Sequence, residues 1–226
     1  MKFINTLHFI FQLFLDALFP KNAETDLLLS LTNEKAYETL PPAPKTPYPF
    51  IISIFAYKNS LVKNLIWNIK YKKSQKALEI GGFAFFKKIS TLFDLERESV
   101  LIAPIPISQK RRNERGFNQC ELLLDEIIKL DTQGKLLFSK HLLKRKVHKD
   151  RQTLKNRAER LADAKQIFEL DQSELEKIKS NETKLGEKLR IIVIDDVVTT
   201  GSTIKEAVDL LRSAGFGDVT GISLAH

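Results

Sequence analysis

Helices alternating with buried strands predict an α/β fold, a mainly parallel sheet flanked by helices, with a small helical region at the N-terminus. Three observations carry this. Ile191 to Ile194 is an unbroken β-branched run bounded by polar residues, the pattern of a strand covered on both faces. Ser202 to Ser213 follows with Ile204, Ala207, Val208 and Leu211 at helical spacing and Gly215 as a stop, and Val219 to Ala225 completes a strand-helix-strand unit. Thr39 to Pro49 holds five of the eight prolines, so it reads as a stiff extended connector. The boundary is placed there, with residues 1–49 as the N-terminal region and 50–226 as the main domain.

The remaining elements follow from periodicity. The first twenty residues are strongly apolar, but His8, Gln12 and Asp16 recur on one helical face and no small-residue cleavage site follows. They read as an amphipathic helix packed on the body, with a membrane-surface helix as the rival. Phe50 to Tyr57 reads as a strand. Ser60 to Lys73 reads as a helix with Leu61, Leu65, Ile66 and Ile69 inward and Lys63, Lys70, Lys72 and Lys73 outward. Ala77 to Leu92 is a second helix, and Ser99 to Ala103 a short strand stopped by Pro104 and Pro106. Asn118 to Leu130 opens with a capping-box pattern, Asn118 with Glu121, and has an apolar face through Leu122, Leu123 and Ile127.

A chain of 226 residues, 43% hydrophobic, buries a sizeable core and fits one principal domain. Its single cysteine, Cys120, excludes an internal disulfide and suits a reducing cytoplasm. That thiol reads as buried rather than catalytic. The histidines, His8, His141, His148 and His226, have no metal-ligand spacing. The net charge of +8 favours anionic partners, and Lys140 to Lys165 concentrates it, with ten Lys and Arg against Asp150, Glu159 and Asp163.

The most informative stretch begins where the β-branched run ends. Ligands of open parallel sheets bind beyond the carboxyl ends of strands, where Asp195 and Asp196 fall. Thr199, Thr200, Gly201, Ser202 and Thr203 then open a helix. Gly201 permits tight turning, the loop amides can face an anion, and the hydroxyls add donors, which suits a phosphate monoester. Two acids beside a phosphate need hydroxyls or a cation to contact, and a ribose diol with Mg2+ supplies both. The set describes a phosphorylated sugar. Neither GxxxxGK[ST] nor GxGxxG occurs, which weakens nucleotide-binding alternatives. The bland reading is a strand end with an Asp turn and a Thr-rich helix cap.

The run IIVIDDVVTTGST resembles the motif for phosphoribosyl pyrophosphate (PRPP) in type I phosphoribosyltransferases. That resemblance implies a type I phosphoribosyltransferase-like fold, with Asp195 and Asp196 on the ribose hydroxyls and Thr199 to Thr203 on the 5-phosphate. APIPISQKRRNERGFNQCELL, RQTLKNRAERLADAKQIF and AYKNSLVKNLIWNIKYK extend the likeness to the ComF family over nearly the whole chain. The family resemblance implies a role in natural transformation, handling incoming single-stranded DNA in the cytoplasm, with DNA-uptake proteins at the inner membrane as partners. The family's LFPxxCxxC is LFPKNAETD here, with Ala23 and Asp26 at the cysteine positions. A four-thiolate zinc site therefore cannot form. Asp163 stands where the family usually has Asn, and Gln166 and Ile167 replace small residues.

Two basic segments complete the site. Lys110, Arg111, Arg112 and Arg115 follow a strand end and suit a pyrophosphate, the alternative being a solvated basic loop. Arg145 to Arg160 reads as a flap closing over the reacting centre, with Arg145, Arg151, Gln152 and Arg157 as its contacts, or as a solvent-facing basic helix. The same cations suit a DNA backbone. No Phe, Tyr or Trp interleaves Lys140 to Lys165, and Trp67, Tyr71 and Phe117 read as core or helix-packing residues. Three functions fit: PRPP binding with single-stranded DNA handling, pentosyl transfer to a nucleobase or amine, or a scaffold with a vestigial site.

Overall fold

The computed structural model describes residues 23–146, 167–185 and 189–226. Along these run helices α1 (Ala23–Ser30) and α2 (Asn33–Thr39), strand β1 (Ile51–Phe55), helices α3 (Ser60–Trp67) and α4 (Gln75–Leu92) and strand β2 (Val100–Pro104). Then come α5 (Gln109–Arg115), α6 (Gln119–Leu130), β3 (Leu136–Phe138), β4 (Leu143–Arg145), β5 (Phe168–Leu170), α7 (Gln172–Leu185), β6 (Arg190–Val197), α8 (Ser202–Ser213) and β7 (Asp218–Ala225). Five strands form one sheet in the order β1-β7-β6-β2-β3, and every neighbouring pair is parallel. This is the type I phosphoribosyltransferase-like α/β fold expected from the sequence.

Strand alternation divides the core into two layers. Ile192 and Ile194 of β6 join Leu65, Ile66, Ile69, Phe85 and Leu123 from α3, the turn after it, α4 and α6. Ile191 and Val193 face the other way, against Ile204, Ala207, Val208 and Leu211 of α8. The run Ile191 to Ile194 is thus apolar on every residue because both faces are covered, as it predicts. Leu28, Ala36 and Leu40 lie in the first layer beside Ile54 and Phe55, and the Asn64 amide donates to Thr25 Oγ1 at 2.8 Å. After Thr39, which ends α2, the proline segment forms neither helix nor strand; a single bridge joins Pro42 to Phe55.

The topology locates the binding edge. From β2 the chain moves outward to β3, and from β6 it moves the other way to β7. The adjacent β2 and β6 therefore bracket a switch point, where loops leaving their carboxyl ends diverge and open a crevice. Everything assigned to PRPP by sequence and present among the described residues derives from those two ends or from the β4–β5 ribbon.

Several elements differ from their sequence reading. β6 does not stop at Ile194; it pairs with β7 through Asp195↔Ser223 and Val197↔Ala225, although β2 ends opposite Ile194. Ser60 to Lys73 is not one α-helix: after Trp67 it widens into a π turn, Asn68–Lys72, which Lys73 closes at φ 48°. Lys110 to Arg115 is helical rather than a loop, because the Ser108 hydroxyl caps it by accepting from the Arg111 amide and Gly116, φ 79°, ends it. Arg145 belongs to a strand, paired opposite Phe168 in an antiparallel ribbon. The predicted N-terminal amphipathic helix, Arg151, Gln152, Arg157, Asp163 and Gln166 lie outside the described residues.

Gly221 sets the spacing between β7 and α8. A Cβ there would lie 2.1 Å from Ile204 Cγ2, so the absent side chain is what lets α8 sit against the sheet. Gly221→Ala is expected to destabilise the protein by about 1–3 kcal/mol, the usual cost of overpacking a filled core. Urea unfolding reads this directly, and an unchanged midpoint would show that α8 is free to shift.

Candidate functional site

The site is assembled at the carboxyl ends of β6 and β2. β6 carries Asp195 and Asp196 past the end of β2, so the carboxylates enter the crevice from a strand rather than a free loop. By alternation Asp196 shares the face of Ile192 and Ile194, and it is 4% exposed. Its Oδ2 lies 3.2 Å from Lys70 Nζ on the π turn. No hydrogen bond of good geometry reaches that oxygen among the described residues.

Asp195 is half-buried. Its Oδ1 accepts from the Asp196 amide at 2.8 Å and from the Cys120 thiol at 3.5 Å. Burial, and then the Asp196 charge, push its pKa up to about 7; the Asp196 amide, Lys70 and the thiol oppose that rise. Burial and the same two acids also raise the Cys120 pKa, so the thiol stays protonated and serves as a donor. Cys120 is buried, as the sequence indicates.

The loop after β6 is held open as a cup. Val198 is tied down by its amide on the Ala225 carbonyl, 2.9 Å, and by its own carbonyl 3.0 Å from His226 Nδ1. Thr199, Thr200 and Ser202 are exposed, with the Thr200 and Ser202 hydroxyls 3.0 Å apart. Gly201 opens α8 at φ 80° and has no side chain to cap the helix. A Cβ at Gly201 would lie 2.9 Å from the Tyr48 ring, so the proline segment forms the floor of this loop. Helix-start amides, hydroxyls and a left-handed glycine make an anion cup.

The cations divide by environment. Arg112 pairs with Glu121 at 2.7 Å, and Arg115 donates to Gln119 at 3.0 Å while lying over the Tyr71 ring. Lys110 lies 4.0 Å from Glu114 at the surface. The Arg111 side chain is exposed, with no ion pair among the described residues. Arg145 stacks on Phe168, and its pKa is lowered first by burial and then by Arg111; Glu206 and Asp195 oppose this. Arg145 thus feels both Arg111 and Asp195 across the crevice. The β4–β5 ribbon is fastened to α8 by the Ile167 amide donating to Glu206. Between α5 and the ribbon lies a cleft of about 630 Å3, lined by Ser108, Arg112, Lys140, His141, Arg145 and Glu169 among others.

Among the described residues no three His, Cys, Asp or Glu side chains converge as a closed metal site. Two carboxylates do fit Mg2+, which takes one or two protein carboxylates and completes its octahedron with substrate oxygens and water. No helix of the described residues is long and apolar enough to cross a membrane.

The sequence reading missed Lys70. It placed this lysine outward, yet the structure turns it onto Asp196. One signal was available: Lys70 stands four residues after the inward Ile66, which puts it at the edge of the apolar face even at regular spacing. The reading of Trp67, Tyr71 and Phe117 as packing residues also changes, since all three are partly exposed and interleaved with cations. Lys72 lies over Trp67 at 5.1 Å, Arg115 over Tyr71 at 5.1 Å and Lys73 over Phe117 at 5.7 Å.

Comparison with known proteins agrees with this geometry. The phosphoribosyl transferase domain model matches residues 143–223, from the β4–β5 ribbon to the last strand. Competence protein ComFC of Bacillus subtilis is 29% identical over 163 residues, 72% of this chain and 58% of that protein. Competence protein F of Haemophilus influenzae is 30% identical over 55% of this chain and 49% of that protein. Competence protein ComFC of Streptococcus pneumoniae is 36% identical over 54% of this chain and 46% of that protein. The matched stretches thus span about half the length of these relatives.

Proposed function

Since the chain is a ComF-family protein with a phosphoribosyltransferase domain, we propose that it binds PRPP at the β2–β6 crevice and serves natural transformation in the cytoplasm. The observation that carries this reading is the adjacency of an acid pair, Asp196 buried and Asp195 half-buried, and an anion cup along one strand end and the helix start that follows it. Asp195 and Asp196 accept from the ribose hydroxyls. The amides and hydroxyls from Thr199 to Thr203 take the 5-phosphate. Arg111, exposed and near enough for its charge to lower the Arg145 pKa, is the leading pyrophosphate contact, with Lys110, Arg112 and Arg115 on the same short helix. Mg2+ bound with the ligand would neutralise pyrophosphate charge. The ribbon brings Arg145 to this side of the crevice; Arg151, Gln152 and Arg157, outside the described residues, are the further contacts that the family resemblance implies for a closing flap that excludes water.

If turnover occurs, the acceptor attacks the anomeric carbon, the bond to the pyrophosphate oxygen breaks, and pyrophosphate leaves with that electron pair. The protein's part is electrostatic: acids beside the sugar where positive charge develops, and cations beside the departing phosphates. The cleft between α5 and the ribbon is the space for an acceptor. Calorimetric titration with PRPP and Mg2+ tests the site. Binding is expected for the wild type, with a loss of about tenfold to a hundredfold in Asp196→Asn, the weight of charge-assisted hydrogen bonds. No heat or equal affinity in the variant would contradict it.

A single-stranded DNA role, with DNA-uptake proteins at the inner membrane as partners, is favoured by one specific observation. Trp67, Tyr71 and Phe117 present ring faces interleaved with Lys72, Lys73 and Arg115 at the rim of the site. Aromatic faces among cations suit unstacked bases and phosphates. Tyr71→Ala and Phe117→Ala should each weaken oligothymidine binding by about 1–3 kcal/mol, against a background that falls steeply with salt. Fluorescence anisotropy at several ionic strengths measures this. No binding at low salt removes the DNA role, whereas binding that the variants leave unchanged moves it to another surface.

A further inference from the structure

We infer that Lys70 is a positioning residue of the ribose subsite: its ammonium holds the Asp196 carboxylate in place and offsets its charge, so that two adjacent acids can face a sugar diol. The inference rests on the ribose reading of Asp195 and Asp196 and names a residue which that reading lacks. Its support is geometric. The Lys70–Asp196 contact is 3.2 Å long, with side-chain exposures of 19% and 6%, and no other ion pair among the described residues buries both partners as deeply.

The backbone is built to deliver this lysine. An α-helix over Ser60–Trp67 widens into a single π turn, the kind of irregularity that tends to occur at functional positions. The turn then closes on Lys73, the only non-glycine residue with positive φ among the described residues. Ile69 beside it is fully buried and fixes the turn against the first core layer. A widened turn and a left-handed lysine cost backbone energy that an ordinary helix end avoids.

The turn also belongs to a closed ring of contacts around the crevice. Lys70 meets Asp196, whose amide donates to Asp195, which accepts from Cys120. The preceding residue, Gln119, accepts from Arg115, and Arg115 lies over Tyr71, the residue after Lys70. Ribose acids and pyrophosphate helix are thereby braced by one turn of chain. Asp196 depends on Lys70 for its only cation in that ring, whereas the Arg111 side chain makes no ion pair with any member of it among the described residues. Removing the ammonium should therefore disturb the sugar end of the ligand and spare the pyrophosphate end.

Calorimetry with Mg2+ on the full chain, using PRPP and inorganic pyrophosphate as separate probes, tests this. Lys70→Met is expected to weaken PRPP at least about tenfold, the scale of a lost charge-assisted interaction, and pyrophosphate by less than about twofold. Lys70→Arg, which keeps the cation, should recover most of the PRPP affinity. Because an uncompensated buried acid can unfold the single variant, the double variant Lys70→Met/Asp196→Asn, which removes both charges, is compared with Asp196→Asn alone. Equal PRPP affinities show that Lys70 acts through Asp196. Undiminished PRPP binding in Lys70→Met, an equal loss of pyrophosphate, or a further loss in the double variant would each overturn the inference. Failure of the wild type to bind PRPP is a separate outcome, visible before any variant is made, and it removes the ribose reading instead.

Discussion

Two carboxylates on consecutive residues at the end of a central strand are the constraint around which this molecule is arranged. Like charges at that spacing repel, and burial removes the water that would screen them. The fold answers with one cation, Lys70, and two hydrogen bonds to Asp195, from the Asp196 amide and the Cys120 thiol. Removing one partner of such a buried ion pair typically costs about 3–5 kcal/mol. The widened turn after α3 and the small, neutral side chain at position 120 both follow from that need. So does the extension of β6 beyond β2, which keeps the acids on a rigid element through its pairing with β7.

Charge is then distributed by element. The sheet supplies the acids, and the short helix after β2 and the β4–β5 ribbon supply the cations. A phosphosugar has the complementary arrangement: hydroxyls in the middle and anions at both ends. Gly221 sets α8 close to β7 and Gly201 turns its first residue over Tyr48, so the loop from Thr199 to Thr203 has a fixed position relative to the acids. The proline segment therefore takes part in the site through Tyr48. The mutual positioning of groups, rather than any single nucleophile or base, is what this crevice offers to chemistry.

Four of the five central strands were legible in sequence, most clearly β2 and β6, whose consecutive apolar residues are the pattern that a two-sided sheet requires; β3, three residues at the sheet edge, was too short to be read. The helix Ser202–Ser213 matched residue for residue, since periodicity, the Gly201 opening and the Gly215 stop agree. The β4–β5 ribbon was not legible: three-residue strands have too few residues to show alternation, and Lys144 and Arg145 mask it with charge. Among its described side chains helix α7 has only Leu175 and Ile178 as buried apolar anchors, which is too sparse to declare a face. Within the site, the acid pair and cup were readable as a contiguous motif. Lys70 lies far away in sequence, and charge argued for solvent where the π turn imposed burial. The aromatic faces at the rim depend on the same turn, which no local propensity encodes.

The most direct test of the central claim is a crystal structure of the protein with PRPP and Mg2+. The expected complex has the ribose diol against the Asp195 and Asp196 carboxylates, the 5-phosphate on the amides and hydroxyls of Thr199 to Thr203, and the pyrophosphate toward Arg111. Density for PRPP elsewhere, or with the acid pair turned away from the sugar, would contradict it.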